Sequence, residues 1–535
     1  MAPNLLVSGG DVFLSWLEPS SRRDGGTRST RLRVARLGES GWSAPSTIAS
    51  GEKVVANWAD FPSLGAGNDG SLFAHWAESS GEGPYAYDVG LASSADRGIT
   101  WARVGVANDD RLEAEHGFVS MAADGALRAF WLDGRKMAGG GHDHADRGAA
   151  MALRTAIVSS GAVAPSEELD ARVCDCCQTS AAVASSGPVV VYRDRGEDET
   201  RDISIVRLVD DRWTAPRSVY ADGWRVPGCP VNGPKVVARG RDVAVAWYTY
   251  AGSVPRIRLA FSRTGGAEFS PPVEVDTSYG GDAPIGRVDL ALLDGDQVVV
   301  SWLVSARENA RWQARRVAFD GRMGTTVVLA YTRADRESGF PRLVRAGDAL
   351  VASWTDPRSP SRVRARRLSL DRLPADLQVV AEVSAQAAPD REVDGQPPLD
   401  VRATAADGTA VSLRHLSGRP VLLNLWATWC EPCRHELPEL AALHEKFRST
   451  DLRVIALSVD RERTRDEVVS FAARRKLPFE IWHDPEDRAS ATLGTSLLPT
   501  SYLIGRDGKV LWKHSGALAA SDPEVVAAIE RALRK

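Results

Sequence analysis

No stretch of this 535-residue sequence approaches 18 consecutive apolar residues, so nothing in it reads as a membrane-spanning helix. A basic cluster is missing as well. The 66 Lys and Arg are outnumbered by 70 Asp and Glu, which leaves a net charge of −4 and a pI near 6.2. That balance argues against nucleic acid as a partner. The opening residues, MAPNLLVSGGDVFLSW, have neither the charged start nor the apolar core of a signal peptide and already read as a pair of strands. Either the protein is cytosolic or an export signal preceded Met1. Cysteine is scarce, at six: Cys174, Cys176, Cys177, Cys229, Cys430 and Cys433. An even number, four of them outside the one isolated pair, suits an oxidising compartment, although metal binding also fits. The expectation is an extracytoplasmic protein, periplasmic or secreted, with any membrane anchor outside this sequence.

Helical periodicity is nearly absent before residue 380. In its place one short β-rich run ending in an aromatic recurs: DVFLSW (Trp16), SLFAHW (Trp76), LRAFW (Trp131), PVVVY (Tyr192), DVAVAW (Trp247), QVVVSW (Trp302) and ALVASW (Trp354). Successive copies lie 52 to 61 residues apart, near the length of a propeller blade. Turn signals such as GNDG, LDGD or AGD precede the runs, and a second alternating segment such as RLRVARLG or VRARRLSL follows. Radially arranged four-stranded sheets are the architecture this predicts, with seven blades expected and six as the alternative. The length of the chain calls for at least one further domain.

One turn carries a signature. In SADRGITW, Ser94, Asp96, Gly98, Thr100 and Trp101 match the Asp-box pattern, in which the carboxylate ties off backbone N–H groups, glycine supplies a positive φ and tryptophan packs between strands. SRTGGAEF (262–269) is a degraded copy. Residues 1–380 thus resemble the sialidase-like, Asp-box (BNR-repeat) propellers, in which these boxes are structural. VYRDRGEDETRDI (191–203) offers Tyr192, Arg193, Asp194, Arg195, Arg201 and Asp202, but PRIR (255–258) is not the usual arginine motif, which argues against glycosidase activity.

Residues 381–396 are polar, proline-containing and aperiodic, and read as a linker. From 397 to 535 the pattern changes to alternating strands and helices: two short strands around a DG turn, the buried strand PVLLNLW, the helix EPCRHELPELAALHEKF, the strand LRVIALSVD, the helix RDEVVSFAARRK, a hairpin of PTSYLIG and KVLWKHSG, and a last helix, DPEVVAAIERALRK. Together with WCEPC at the first strand–helix junction, this order resembles the TlpA-like thiol–disulfide oxidoreductases, thioredoxin-fold members of the redoxin (AhpC/TSA) superfamily. The fold class expected for the whole chain is a β-propeller followed by an α/β thioredoxin-fold domain.

The chemistry follows from the residues. Cys430 opens a helix, where unpaired N–H groups and the helix dipole favour a thiolate. Cys433, one turn further in, is placed to resolve a mixed disulfide. A zinc half-site is the competing reading, but this domain has no second ligand pair. Asn424 stands where thioredoxin has a buried strand aspartate, and Glu436, on the helix one turn past Cys433, is the acid expected to shuttle its proton. A solvated helix glutamate is the alternative. Pro438 is expected to kink the helix. The resemblance implies that Pro499, in Leu498-Pro499-Thr500, is cis and packs beside the cysteines. It also implies that Trp426 packs, while Trp429, Glu431, Pro432, Leu498 and Thr500 face substrate. Disulfide exchange of this kind needs no cofactor, acts on protein thiols and disulfides, and requires an upstream reductant.

Cys174, Cys176 and Cys177 share the loop RVCDCCQTS, and Cys229 follows one repeat later in WRVPGCPVNGP, so adjacent blades could bring all four together. Three readings stay open: structural disulfides, a copper or zinc thiolate site, and redox-active thiols serviced by the attached domain. A disulfide between the adjacent Cys176 and Cys177 is disfavoured by strain. His142 and His144, in GGGHDHAD, read as a solvated loop tip more readily than as ligands. The overall expectation is an exported thiol–disulfide oxidoreductase whose propeller recognises a substrate or partner. The alternative is a metal- or protein-binding propeller whose cysteines the redox domain keeps reduced.

Overall fold

The structure, a computed structural model, describes all residues except 1, 20–28, 82–84, 138–149, 278–282, 307–308, 359–360, 375–376, 378–399, 461–463, 496 and 535. The expected linker at 381–396 and the loop bearing His142 and His144 lie outside the described residues.

Seven antiparallel sheets form a seven-bladed propeller. The first strands of the blades are β1 (Asn4–Ser8), β2 (Leu64–Ala66), β3 (His116–Asp124), β4 (Ser180–Ala184), β5 (Lys235–Arg239), β6 (Pro284–Leu292) and β7 (Arg342–Ala346). Each touches the next, and β7 returns to β1, so the ring is closed. Closure is apolar: Leu5, Val12 and Leu14 of the first blade pack with Val351 of the last. Each second strand carries one of the seven recurring aromatics. These strands are covered by sheets on both faces, which is why they read as continuous apolar runs. Gln297–Ala306, for instance, is buried at every position but its ends. Further out, Arg362–Ser369 faces solvent and carries four arginines.

The C-terminal domain is one seven-stranded sheet with helices. Its strands are β8 (Arg402–Ala405), β9 (Ala410–Ser412), β10 (Val421–Trp426), β11 (Arg453–Ser458), β12 (Glu480–His483), β13 (Thr500–Ile504) and β14 (Val510–Ser515), in the order β9-β8-β12-β11-β10-β13-β14. The central β10, β11 and β12 are parallel, and β13 runs antiparallel to β10. The helices are α1 (Glu431–Lys446), α2 (Arg465–Arg474), α3 (Arg488–Leu493) and α4 (Pro523–Arg534). This is the expected thioredoxin fold, with β12 and α3 in addition to the elements read from the sequence. Helix α1 continues through Pro438.

The two parts pack against each other. Arg336 of the propeller pairs with Asp487 at 3.0 Å, both buried. Leu497 packs with Trp224 and Val226, and the ring of Trp429 faces Tyr85. No helix among the described residues is long and apolar enough to cross a membrane.

Candidate functional site

Strand β10 is buried at all six positions, and it delivers a short loop that ends at Cys430. Two hydrogen bonds from Thr428 to Asp460, 2.9 Å from its N–H and 2.7 Å from its hydroxyl, pin that loop to the end of β11. Cys430 is the N-cap of α1 and Pro432 lies in the first turn. The Cys433 N–H donates to the Cys430 sulfur at 3.2 Å, so one of the unpaired donors of the helix start is aimed at the atom expected to bear charge. Cys430 and Cys433 are joined as a disulfide, with Cα atoms 5.2 Å apart, and neither is exposed.

Glu436 follows on the same helix and is 1% exposed, which excludes the solvated alternative. One carboxyl oxygen accepts from the Leu518 N–H at 3.0 Å, the other from the Asn424 side-chain amide at 2.9 Å. Burial pushes its pKa up to about 8, against the opposing pull of hydrogen bonds from Leu518, Asn424 and Ser501. Such a group exchanges protons near neutrality. The Leu498–Pro499 peptide is cis. Leu425 pairs with Thr500, so 498–499 run beside the end of β10, and Leu498 shares the core cluster of Cys430 and Cys433. Leu498 and Thr500 are buried, Trp426 packs against Phe471 inside the domain, and Pro432 is half-buried. Trp429 is half-buried too, and the Arg336 guanidinium lies over its ring at 5.8 Å.

A second set of sulfurs lies in the propeller. Cys174 and Cys177 are 2.7 Å apart, and Cys174 and Cys176 are 3.9 Å apart. All four propeller cysteines are free thiols. Burial opposes ionisation of Cys174, but hydrogen bonds from Cys176 and Cys177 and the charge of Arg201 overcome it and hold its pKa well below the usual thiol range. Burial and the neighbouring sulfurs, among them that of Cys229, keep Cys176 protonated. Three sulfurs within 4.8 Å could hold a soft metal ion. His116 stands apart, bonded to Asp110 at 2.9 Å and to the Tyr87 carbonyl.

The Asp box closes as its pattern implies. Asp96 accepts from the Ile99 and Thr100 N–H groups, Ser94 accepts from Gly98 (φ +83°), and the Trp101 ring N–H donates to the Gly98 carbonyl. Arg193 donates to the carbonyls of Asn232, Arg201 and Tyr248. It is a buried strut of the propeller.

Two features had no sequence signal. Asp460 reads as an ordinary loop acid until its bonds to Thr428 are seen. Cys229 pairs its backbone with Leu498 across the domain junction.

Residues 385–513 match the AhpC/TSA family. The chain is 37% identical over 108 residues to the thiol-disulfide oxidoreductase ResA of Bacillus thuringiensis (strain Al Hakam), covering 20% of this chain and 61% of that protein. With ResA of Bacillus subtilis (strain 168) the identity is 31% over 115 residues, covering 22% and 63%. The chain therefore spans about three fifths of the length of these curated relatives. Among solved structures, StoA from Bacillus subtilis aligns at 22% identity and a TM-score of 0.22, over 25% of this chain and 97% of that one. A DsbF homologue from Corynebacterium diphtheriae aligns at 22% identity and a TM-score of 0.24, over 26% and 89%.

Proposed function

We propose that this protein is a thiol–disulfide oxidoreductase that exchanges disulfides through Cys430 and Cys433. The observation that carries the reading is the Cys430 sulfur at the start of α1, taking the Cys433 N–H. In the reduced protein the Cys430 thiolate attacks a substrate sulfur and forms a mixed disulfide. Cys433 then attacks Cys430, frees the substrate as a thiol and restores the Cys430–Cys433 bond. Glu436 takes the proton that Cys433 must lose, and the backbone of Leu498 and Pro499 forms the edge against which substrate lies. The names of the ResA relatives support this reading, and an oxidising, extracytoplasmic compartment fits it, with an upstream reductant returning the pair to its dithiol. The propeller, whose Asp box supports kinship with sialidase-like propellers, serves as a recognition or docking module.

The test is reduction of a reporter protein disulfide by the reduced chain. Cys430→Ser abolishes it, whereas Cys433→Ser accumulates mixed disulfides because attack survives and resolution does not. Undiminished reduction by Cys430→Ser ends the assignment.

A second reading has its own observation, the three propeller sulfurs within 4.8 Å of one another. On that reading the propeller holds copper or zinc through Cys174, Cys176 and Cys177, and the redox domain keeps these thiolates reduced. Buried thiolate donors suit a soft ion, because only the deprotonated, reduced sulfur ligates.

A further inference from the structure

The segment that occupies the edge beside the redox pair belongs to the chain itself. The Cys229 N–H donates to the Leu498 carbonyl at 2.8 Å in an antiparallel bridge, and two residues earlier the Pro227 carbonyl accepts from the Ala517 N–H at 3.0 Å. Residues 227–229 of the propeller thus lie as an added strand on the redox domain, held by main-chain hydrogen bonds as in β-augmentation. The fit is close. A Cβ on Gly228 would come within 2.9 Å of the Leu498 carbonyl oxygen. The Cys229 side chain packs against the core cluster containing Cys430 and Cys433, and equally against the propeller cluster that Cys176 also contacts. Neither Cys430 nor Cys433 is exposed in this arrangement, so a foreign disulfide reaches them only when the packing around them opens.

Resting on the exchange chemistry proposed above, we infer that Cys229 is the internal substrate of Cys430, and that the bond exchanged is a disulfide between Cys229 and Cys176. The Cys430 thiolate attacks the Cys229 sulfur. The Cys176–Cys229 bond breaks, Cys176 leaves as a thiolate and takes a proton, and a Cys430–Cys229 bond forms. Cys433, deprotonated, then attacks Cys430, and Cys229 leaves as a thiolate. Two electrons pass from the Cys430/Cys433 dithiol to the propeller, and no other oxidant or reductant takes part. The structure corresponds to the end of this transfer: Cys430 and Cys433 are bonded, and Cys176 and Cys229 are thiols. Because donor and acceptor share one chain, their encounter is set by an effective concentration and not by the bulk one.

The experiment uses the full chain carrying Cys433→Ser, with Cys433→Ala as a second variant in case the hydroxyl disturbs the buried helix turn. The propeller thiols are oxidised, the protein is acid-quenched, and its disulfides are mapped by peptide mass spectrometry. A parallel sample, fully reduced, receives glutathione disulfide. The expected result is a Cys430–Cys229 bond within one chain, in a yield unchanged over a hundredfold dilution, and a glutathione adduct on Cys430 in the parallel sample. A glutathione adduct without the Cys430–Cys229 bond overturns this inference and leaves the exchange activity standing. Absence of both overturns the exchange activity itself. A bond from Cys430 to Cys174, Cys176 or Cys177 in place of Cys229 overturns the assignment of the internal substrate, as does a yield that falls with dilution.

Discussion

The Asn424 side-chain amide donates to the Glu436 carboxyl at 2.9 Å, and this polar pair lies in the core of the redox domain with both residues buried. The pair joins β10 to α1 directly behind the cysteines. Its energetic weight comes from burial, since a carboxylate out of water is costly unless it is protonated or well bonded.

From this follows a pH prediction. The Glu436 pKa rises from an ordinary 4.5 to about 8, so between those values the folded domain holds a proton that the unfolded chain has released. The resulting stabilisation is fully present below about pH 4.5 and is lost as pH rises to about 8. It is on the order of a few kcal/mol, because each tenfold change in proton affinity is worth about 1.4 kcal/mol. Glu436→Gln removes that slope from urea-denaturation stabilities measured from pH 5 to 8. It also shifts the pH profile of exchange. Superimposable exchange profiles for the two proteins would reduce Glu436 to a packing role.

Much of this arrangement was legible from residues alone, and the reasons are local. The seven aromatic-ended runs are middle strands covered on both faces, so their apolar character is continuous and each is bracketed by turn residues. Cys430 and Cys433 sit at the junction of a wholly buried strand and an amphipathic helix, which fixes their surroundings. Strand β12 was missed because EIWH is four residues long and has no alternation that distinguishes it from loop. Helix α3 has only six residues, and its first turn is capped from Asp484, three positions before the N-cap, where no capping pattern would place it. The Cys229–Leu498 pairing joins positions 269 residues apart and depends on how the two domains dock, which no local pattern encodes. Glu436 was legible as a candidate acid, but its burial depends on β13 and the segment around Leu518.

Asp460 provides a second prediction. Its carboxylate takes both hydrogen bonds from Thr428, and it also accepts from Ser458 at 2.6 Å. Asp460→Ala leaves the buried Thr428 N–H and hydroxyl without that partner. The expected cost is about 1–3 kcal/mol in denaturant-unfolding stability. The loop that positions Cys430 loosens with it, so the rate of exchange falls as well. Asp460→Asn, which retains an acceptor oxygen, recovers part of both. An unchanged rate in Asp460→Ala would show that the loop is held by other contacts.

Docking of the two domains is tested at Gly228. Any side chain there meets the backbone oxygen of Leu498, and that oxygen belongs to a hydrogen-bonded segment with no freedom to withdraw. Gly228→Val is expected to separate the propeller strand from the redox domain without touching the core of either. In the reduced protein, alkylation of Cys430 then accelerates at least tenfold. Arg336→Ala acts in the same direction by leaving the buried Asp487 carboxylate without that cation, at a cost of about 3–5 kcal/mol to the docked state. If Cys430 is alkylated in both variants at the wild-type rate, the interface does not control access to the pair.

The last prediction concerns the propeller sulfurs as ligands. Cys174 ionises readily, while Cys176 and Cys177 hold their protons, so a metal ion entering the cluster must displace two of them. Affinity for the metal therefore rises with pH, and binding releases protons to the medium. Arg201, whose charge favours the Cys174 thiolate, also repels a cation, which favours a monovalent ion such as copper(I) on three thiolates over a divalent one. The chain reduced and loaded anaerobically is expected to retain one equivalent of copper(I) through desalting. Oxidation of the cluster releases it, because a disulfide sulfur no longer ligates. Cys174→Ser weakens retention at least tenfold, and Cys430→Ser leaves it unchanged when a chemical reductant is supplied. Equal retention by the oxidised and reduced chains would place the metal elsewhere and end the thiolate reading.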